Sequence, residues 1–354
     1  MGDCVFYGEW LNFIAKLRGG PTGSINPNNY LVGSDSKDFC EILKNHPGMQ
    51  SVPNVKSGIG SSQEDAGELL RGILNSEKCE NVTKIIKNTF GIYISNRNKC
   101  VDQGQEKLFK TKIPEPLVTL DLDIRIVDYQ ADGTVTGINK LNTLTECLKQ
   151  DFKEEYISDL ACGNLGKIGG YKRTVISALN PLLIVVLKRF AEKIIIRQIQ
   201  SSIKEKIDHS VSFDLELDLK DYLSENLKTN RAIISKYNLI GIVHHSGTLD
   251  GGHYIAYSKD FEGKPEDNYE RKWYEYNDSL VSGPKATDEI KKLGNSSGPY
   301  ILFYEREDVT QEIAMLKKLE EKKNEIENKL VELEKSVAER RQKIDELNKK
   351  LNPS

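Results

Sequence analysis

The second half of the chain alternates apolar and polar residues at the period of a β-strand. In VTLDLDIRIV, apolar residues at the even positions 120–126 are separated by charged ones, and VSFDLELDL repeats the pattern over 211–219. Such alternation predicts strands with one buried and one solvated face. PLLIVVLKRF (181–190) contains a continuous apolar run, which predicts a central strand buried on both faces. Four further segments have strand character: YNLIGIVHH, GHYIAYS, KWYEYND and YILFYER.

The first part of the chain has helical spacing instead. Residues 8–20 place apolar side chains three and four positions apart and end at a Gly-Gly pair. SSQEDAGELLRGIL predicts a second helix, with Ser62 as its N-cap and Asp65 in its first turn. The residues of this helix expected to face the core are Leu69, Leu70 and Ile73. Helices followed by mostly antiparallel strands predict an α+β fold.

Beyond residue 306 the composition changes to a heptad repeat. The repeating positions are Leu316, Leu319, Lys323, Ile326, Leu330, Leu333, Val337, Arg340, Ile344, Leu347 and Leu351. A period of 3.5 sustained over about five heptads favours a coiled-coil seam over a solvated single helix. We therefore expect a domain at 1–306 and a coiled-coil helix at 307–354, which self-associates or binds a partner through 316–351.

Charge and cysteine content narrow the class of protein. The 354 residues carry a net charge of −3, which gives no indication of nucleic-acid binding. The six cysteines form no Cys-x-x-Cys motif, so we expect reduced thiols and a cytoplasmic or nuclear protein that is not secreted. We see no signal peptide, and the apolar run at 181–187 is too short to cross a bilayer.

Candidate catalytic chemistry lies in GTLDGGHYIAYSKD and KWYEYNDSLVS. His253 follows Gly251 and Gly252, and glycines in a strand are useful mainly where another backbone approaches closely. Asn277 and Asp278 follow an aromatic residue at the end of the next strand. An Asn or Asp that accepts from one imidazole nitrogen fixes the tautomer and leaves the other nitrogen as a base. The pattern is two-thirds of a catalytic triad.

These segments resemble the ubiquitin-specific proteases, a family of papain-like cysteine deubiquitinases. YNLIGIVHHSGTLDGGHYIAY is similar to the family's histidine box, and WYEYNDSLVS and PYILFYER are similar to its next two strands. ALNPLLIVVLKRF resembles its Leu-Lys-Arg-Phe strand, and SSQEDAGELL resembles its Gln-Gln-Asp-Ala-x-Glu helix, with Gly67 an unusual choice. The matches follow the family's order over roughly residues 8–306. They imply a papain-like fold with a strand-rich palm and fingers and a truncated helical N-terminal part.

The resemblance implies an activity: thiol-dependent hydrolysis of the isopeptide or peptide bond after ubiquitin's C-terminal glycine. His253 would be the general base, Asn277 would orient it, and Asp278 would assist or cap the turn. The partners implied are ubiquitin or ubiquitinated proteins. The residues implied to bind the ubiquitin tail are Gln63, Asp65, Glu68, Gly251, Gly252 and Tyr254.

The acidic pair and the two glycines have the clearest expected roles in that set. Asp65 and Glu68 would bind the tail's arginines, although first-turn acids are also favoured by the helix dipole alone. Gly251 and Gly252 would line a channel that admits only a glycine tail.

Two elements that many relatives carry are missing from the sequence. The expected zinc-binding pairs read NRNKC and ACGNL, so Cys100 and Cys162 are present while Arg97 and Leu165 replace their partners. We therefore expect no metal, no cofactor, and a fingers region held by packing.

The N-terminal box resembling Gly-Asn-Thr-Cys-Tyr is also not found. Cys4 is either a degenerate version of it or a terminal thiol without a role, and we expect the box to be missing. Two hypotheses follow: a deubiquitinase that is either incomplete at its N-terminus or uses Cys4, and an inactive relative that binds ubiquitin or scaffolds through its coiled coil.

Overall fold

The fold is built around one large β-sheet, as a computed structural model of the chain shows. The structure describes residues 65–75, 80–102, 105–110, 113–195, 198–249, 251–260 and 270–351. The predicted helix at 8–20 and the residues Cys4, Ser62 and Gln63 lie outside this part of the chain.

The described elements mix helices with a larger number of strands. The helices are α1 (Ala66–Asn75), α2 (Glu80–Thr89), α3 (Leu144–Asp151), α4 (Glu225–Thr229), α5 (Thr287–Leu293) and α6 (Glu307–Leu351). The strands are β1 (Ile92–Asp102), β2 (Gln105–Lys110), β3 (Glu115–Leu117), β4 (Leu120–Leu122), β5 (Arg125–Tyr129), β6 (Val135–Lys140), β7 (Glu154–Ala161), β8 (Lys167–Leu179), β9 (Leu182–Leu187), β10 (Phe190–Ile195), β11 (Gln198–Lys206), β12 (Glu216–Asp218), β13 (Lys236–Gly247), β14 (Gly252–Lys259), β15 (Trp273–Asn277), β16 (Leu280–Lys285) and β17 (Pro299–Arg306). The expected α+β class is confirmed.

The large sheet, hereafter the main sheet, has eight strands. Seven follow the order β16-β15-β14-β13-β17-β9-β4, and β12 pairs with β13. Neighbours are antiparallel except β4 and β9, which run parallel. The expected central strand is β9, whose residues from Leu183 to Leu187 are buried. The four further strand segments predicted from the sequence form β13, β14, β15 and β17.

Two predicted strands are shorter than their alternation suggested. VTLDLDIRIV splits in two, because β4 pairs with β9 in the main sheet while β5 forms a separate hairpin with β6. In VSFDLELDL, three residues are in strand β12, although Val211 and Phe213 are buried beside it. Alternation therefore predicted the buried side correctly, whereas strand length depended on where a pairing partner was available.

The main hydrophobic core packs against the main sheet. It includes Leu120, Leu122 and Ile124 from the alternating segment together with Leu144 and Leu148 of α3, all less than 3% exposed. A smaller apolar cluster lies under α1, where Ala66, Leu70 and Leu74 pack against residues of β9 and β17. The prediction for this helix was therefore right for Leu70, but Leu69 and Ile73 are not in the cluster.

A second sheet has the order β2-β1-β8-β7, with β3 added to β1. Its buried cluster contains Cys100, Leu160 and Cys162, and the two cysteines form a disulfide bond. The expectation of reduced thiols was wrong for this pair. Because β1 and β7 both pair with β8, the two cysteines lie close together, with Cα atoms 6.1 Å apart.

These two cysteines also belong to the positions where relatives were expected to bind zinc. Arg97 is a cation and Leu165 is apolar, and the two thiols bond to each other, so these residues do not fit a tetrahedral zinc site. Within the described ranges, no three His, Cys, Asp or Glu side chains come together as a metal site.

The chain divides into two compact units between Arg306 and Glu307. The second contains α6, a helix of 45 residues, and the apolar side chains described along it are largely exposed. Among the described helices, none combines the length and apolar character needed to span a membrane.

Candidate active site

His253 lies near the start of β14, directly after the turn that joins β13 to β14. Gly247 ends β13 with φ +103°, and a Cβ there would lie 2.5 Å from the Gly251 carbonyl oxygen. Only glycine fits such a position without strain. Gly247 pairs with Gly252 and Ser246 with His253, which fixes the histidine near the end of an interior strand of the main sheet.

A buried lysine on another hairpin holds this turn. Lys206, at the end of β11, donates from Nζ to the carbonyl oxygens of Gly247 at 2.8 Å and His245 at 3.3 Å. Its side chain is 5% exposed, and its charge makes each of these hydrogen bonds stronger than a neutral donor would. Sequence reasoning missed Lys206, because nothing in its local pattern indicates which backbone it contacts.

His253 contacts the side chain of Asn277. Its Nε2 lies 2.5 Å from the Asn277 Oδ1, across the neighbouring strands β14 and β15. An amide oxygen can only accept, so Nε2 carries the proton and donates it. The neutral ring then has its lone pair on Nδ1, which is the arrangement of a general base. The structure thus brings together the two residues that the sequence singled out.

Asp278 lies farther from the histidine and forms part of the turn between β15 and β16. Its Oδ2 is 4.0 Å from His253 Nε2, and its side chain is 81% exposed. It occupies the two-residue connection between β15 and β16 with φ +51°, a conformation that Asp tolerates better than most residues. Of the two roles expected for Asp278, the geometry favours the turn.

The acidic residues of α1 lie on a different side of the site. Asp65 precedes the helix and accepts from the Glu68 N–H at 2.9 Å, so Asp65 acts as an N-cap rather than as a first-turn residue. It also accepts from the Tyr300 hydroxyl of β17 at 2.5 Å. The helix is further tied to the main sheet by an ion pair of Arg71 with Asp121 at 2.9 Å.

An open cleft runs between α1 and the main sheet. Its lining residues include Asp65, Glu68 and Tyr254, three of those expected to bind the ubiquitin tail. The hairpin that carries His253 reaches this cleft through Leu249 and Tyr254. The cleft is not uniformly acidic, because Arg71, Lys188 and Lys204 also line it.

The floor of the cleft is aromatic and uncharged. Phe190 contacts both Tyr300 and His245 edge to face, with ring centroids 5.3 and 5.4 Å apart. Burial, followed by the charge of Lys206, lowers the pKa of His245 to about 4. Burial raises the pKa of Tyr254 to about 12, and burial with the nearby Asp65 carboxylate raises the pKa of Tyr300 further. At neutral pH the charges of the cleft are therefore on its rim.

Arg189 fixes the start of β17 behind this floor. The side chain is fully buried, and it donates to the carbonyl oxygens of Pro299, Ile207 and His209. Burial lowers its pKa to about 10, which still leaves it charged at neutral pH. The Leu-Lys-Arg-Phe resemblance covered this residue, but its contacts were not predictable from the pattern.

Of the remaining predicted site residues, the structure describes the two glycines before His253 and leaves the others undescribed. Gly251 is exposed, and a Cβ at this position would meet no atom of the described residues within 4 Å, so packing within that part of the chain does not require glycine there. Gly252 pairs with Gly247 in the turn. Gln63 and Cys4 lie outside the described residues. Their roles stay predictions.

Comparison with known proteins agrees with these motifs. The sequence matches the family model for ubiquitin carboxyl-terminal hydrolase over residues 34–304, a shorter span than the motifs suggested. It is 28% identical over 269 residues to ubiquitin carboxyl-terminal hydrolase 8 of Saccharomyces cerevisiae, covering 69% of this chain and 50% of that protein. It is 34% identical over 168 residues to human ubiquitin carboxyl-terminal hydrolase 2, covering 46% of this chain and 24% of that protein.

The fold also matches solved structures. The SAGA deubiquitinase module with Ubp8, bound to monoubiquitin, aligns with a TM-score of 0.57 and 24% identity over 86% of this chain and 59% of that one. The chain spans about half the length of the yeast relative and a quarter of the human one. The family match covers most of the chain. It contains both α1 with Asp65 and Glu68 (hereafter the acidic helix) and the β13–β14 hairpin that carries His253 (hereafter the histidine hairpin). The chain belongs to the ubiquitin-specific proteases, the ubiquitin carboxyl-terminal hydrolase family.

Proposed function

We propose that this protein is a cysteine-type deubiquitinase that hydrolyses the bond after the C-terminal glycine of ubiquitin. The observation that carries the proposal is the 2.5 Å contact of His253 Nε2 with Asn277 Oδ1, on a hairpin that borders a cleft lined by Asp65 and Glu68. The partners are ubiquitin and ubiquitinated proteins, so the protein would act in the cytoplasm or nucleus.

The chemistry assigned to the histidine has two steps. Its Nδ1 removes the thiol proton of a cysteine, and the thiolate attacks the carbonyl carbon of the terminal glycine. The imidazolium then gives its proton to the leaving lysine amine, and water hydrolyses the thioester in a second step. Asn277 holds the ring in the productive tautomer throughout, and it stabilises the imidazolium less than a carboxylate would.

Recognition of the tail is assigned to the cleft. Asp65 and Glu68 are the acids proposed to meet the tail's arginines, together with Gln63 before the helix. Tyr254 lines the same cleft, and its hydroxyl accepts from the Ala66 N–H at 3.4 Å. Gly251 and Gly252 are proposed to leave room for the terminal glycines, which is consistent with the open space beside Gly251.

A second candidate function is binding of ubiquitin without cleavage. The observation in its favour is the sequence itself, which contains no Gly-Asn-Thr-Cys-Tyr box. Cys4 is the remaining candidate nucleophile, and it precedes the family match at 34–304.

A ubiquitin that carries a thiol-reactive group at its C-terminus distinguishes the two functions. Incubation with the full chain, followed by mass spectrometry, identifies any modified cysteine. An adduct that disappears in His253→Ala and in Cys4→Ser supports the deubiquitinase with Cys4 as nucleophile. An adduct retained in His253→Ala contradicts the role of the histidine. Binding of unmodified ubiquitin without an adduct supports the second function, and loss of both adduct and binding contradicts both proposals.

A further inference from the structure

Gly67, the unusual glycine of the acidic helix, lies against the side chain of Tyr300 on β17. Gly67 is buried, and a Cβ at this position would lie 2.6 Å from the Tyr300 hydroxyl oxygen. The hydroxyl therefore occupies the space that any other residue at 67 would fill. From there it donates to Asp65 Oδ1 at 2.5 Å, across 235 positions of sequence.

We propose that Tyr300 is a positioning residue for Asp65, and that Gly67 is the small residue that makes this contact possible. Oδ1 of Asp65 accepts from both the Tyr300 hydroxyl and the Glu68 N–H. Two fixed donors on one oxygen set the rotation of the carboxylate and direct Oδ2 to a cationic ligand in the cleft. This inference rests on the proposed function, because the ligand is the arginine-bearing tail of ubiquitin.

The tyrosine is itself rigid, as a positioning residue must be. Tyr300 is 2% exposed, and its ring packs on Phe190 with centroids 5.3 Å apart. Its strand begins at Pro299, whose carbonyl accepts from the buried Arg189. A side chain fixed on a central strand loses little further freedom when the ligand binds, so its hydrogen bond is effective in holding Asp65.

Ubiquitin affinity tests the role with a double-mutant cycle in the full chain. Tyr300→Phe removes the donor and keeps the ring, and it should weaken binding of ubiquitin by about tenfold. The loss should be absent in the Asp65→Asn background and for a ubiquitin whose tail arginines are replaced by alanine. Equal weakening of both ubiquitins, or an undiminished loss beside Asp65→Asn, would overturn the proposal.

Tyr304→Phe is the matched control. Tyr304 lies on the same strand, is fully buried, and donates to the Asp214 carbonyl at 2.9 Å, away from the cleft. This substitution removes a comparable hydrogen bond and should leave ubiquitin affinity unchanged. A drop in affinity equal to that of Tyr300→Phe would show that a structural loss alone explains the effect.

Gly67→Ala tests the shared space without any ligand. It should lower the midpoint of thermal unfolding, and adding Tyr300→Phe should raise it again, because the 2.6 Å contact with the hydroxyl is removed while milder contacts of 3.1 Å with Asp65 Oδ1 and 3.3 Å with the ring remain. The double variant should keep the weakened ubiquitin affinity. A midpoint that the second substitution does not raise contradicts the steric part of the proposal. If the unchanged chain binds no ubiquitin, the proposed function fails, while this unfolding series still tests the contact.

The charges along α6 carry an independent inference. With Leu330 and Val337 at heptad position a and Leu333 at d, the g positions include Lys322 and Lys329 and the e positions include Glu327 and Glu334. The apolar seam residues Leu319, Ile326, Leu330, Leu333, Val337, Ile344 and Leu347 are between 47% and 65% exposed. A seam of this length left open to water favours association.

We infer that the partner for this seam is a second copy of the chain, parallel and in register. In a parallel pair, each g residue faces the e residue five positions later on the other helix. Lys322 then meets Glu327 and Lys329 meets Glu334, so these two pairs attract, while Ser336 with Arg341 and Lys343 with Asn348 place no like charges together. In an antiparallel pair, g faces g and e faces e, so the lysines at g would face one another, and at e the glutamates would find an opposite charge at Arg341 alone.

The charged seam residue Lys323 limits this dimer without excluding it. Its ammonium already lies 3.7 Å from Glu327 of the same helix and is 71% exposed, so the charge can stay at the edge of the interface. Two lysines that meet at one a position weaken the pair. Lys323→Leu should therefore tighten the dimer.

Sedimentation equilibrium of the full chain tests both the partner and the orientation. The unchanged chain should be a dimer that weakens in high salt. Lys322→Glu with Lys329→Glu should convert it to a monomer, because both attractive g–e contacts become repulsive, and mixing with Glu327→Lys plus Glu334→Lys should restore a mixed dimer. A monomeric unchanged chain would contradict self-association. A dimer unaffected by the lysine substitutions would contradict the parallel orientation.

Discussion

The main sheet and the second sheet differ in how far their residues match the motifs expected from the resemblance. The main sheet keeps every motif of the histidine hairpin, and His253 and Asn277 meet in hydrogen-bonding contact. The second sheet has one cysteine at each place where a zinc-binding pair was expected, and Cys100 and Cys162 bond to each other within an apolar cluster. A structural metal can be replaced by any contact that holds the same strands together, whereas a general base requires one atom in one place.

The largest predicted effect concerns the main sheet. His253→Ala should lower hydrolysis of a fluorogenic ubiquitin substrate by roughly 10³-fold or more, since it removes the base. The side chain is 44% exposed, so the midpoint of thermal unfolding should change little. Asn277→Asp, which keeps an acceptor oxygen, is the matched control and should retain most of the activity. Activity that survives the alanine variant would remove His253 from the mechanism.

In the second sheet the expected loss is of stability. Cys100→Ser opens a link across 62 residues and should cost about 2–4 kcal/mol of unfolding free energy. A reductant should lower the stability of the unchanged chain toward that of the variant, and a chelator should have no effect. Little change in ubiquitin hydrolysis is expected. Destabilisation by the chelator would show that a metal holds this sheet.

The prediction from sequence was strongest where physical constraints are local. The glycine-rich turn before His253, the apolar run of β9 and the 3.5-residue period of α6 each follow from neighbouring residues. The contacts of Tyr300, Lys206 and Arg189 join positions from about 18 to 235 residues apart, and no local pattern encodes them. The disulfide was missed because its two cysteines become neighbours only through their shared strand β8.

A smaller effect is expected in the pH dependence of stability, and it arises from a buried histidine of the main sheet. Burial lowers the pKa of His245 from 6.5 to about 4, so the unfolded chain takes up its proton at a higher pH than the folded one. The stability contributed by the neutral ring is complete above pH 6.5 and falls as the pH drops from 6.5 toward 4. His209 and His244 shift in the same direction because of burial.

Unfolding measured across this pH range should therefore show a weaker pH dependence in His245→Phe than in the unchanged chain. Equal slopes would mean that His245 is not the group responsible.

The smallest predicted effect separates Asp278 from Asn277. With φ +51°, Asp278→Ala should cost about 1 kcal/mol of stability, while Asp278→Gly should be neutral or stabilising. Both variants should keep ubiquitin hydrolysis within about threefold of the unchanged chain, because the carboxylate is not needed to orient the histidine. A large loss of activity in the glycine variant would give Asp278 the orienting role instead.

The proposed catalysis requires that His253 holds its proton on Nε2 and leaves Nδ1 free as a base. Nitrogen-15 NMR of the histidine side chains at neutral pH reports this tautomer without any assumption about the nucleophile. We expect an Nε2–H tautomer for His253 in the unchanged chain and its loss in Asn277→Ala. A ring protonated on Nδ1, or a tautomer that does not change in Asn277→Ala, would contradict the role of Asn277 in orienting His253.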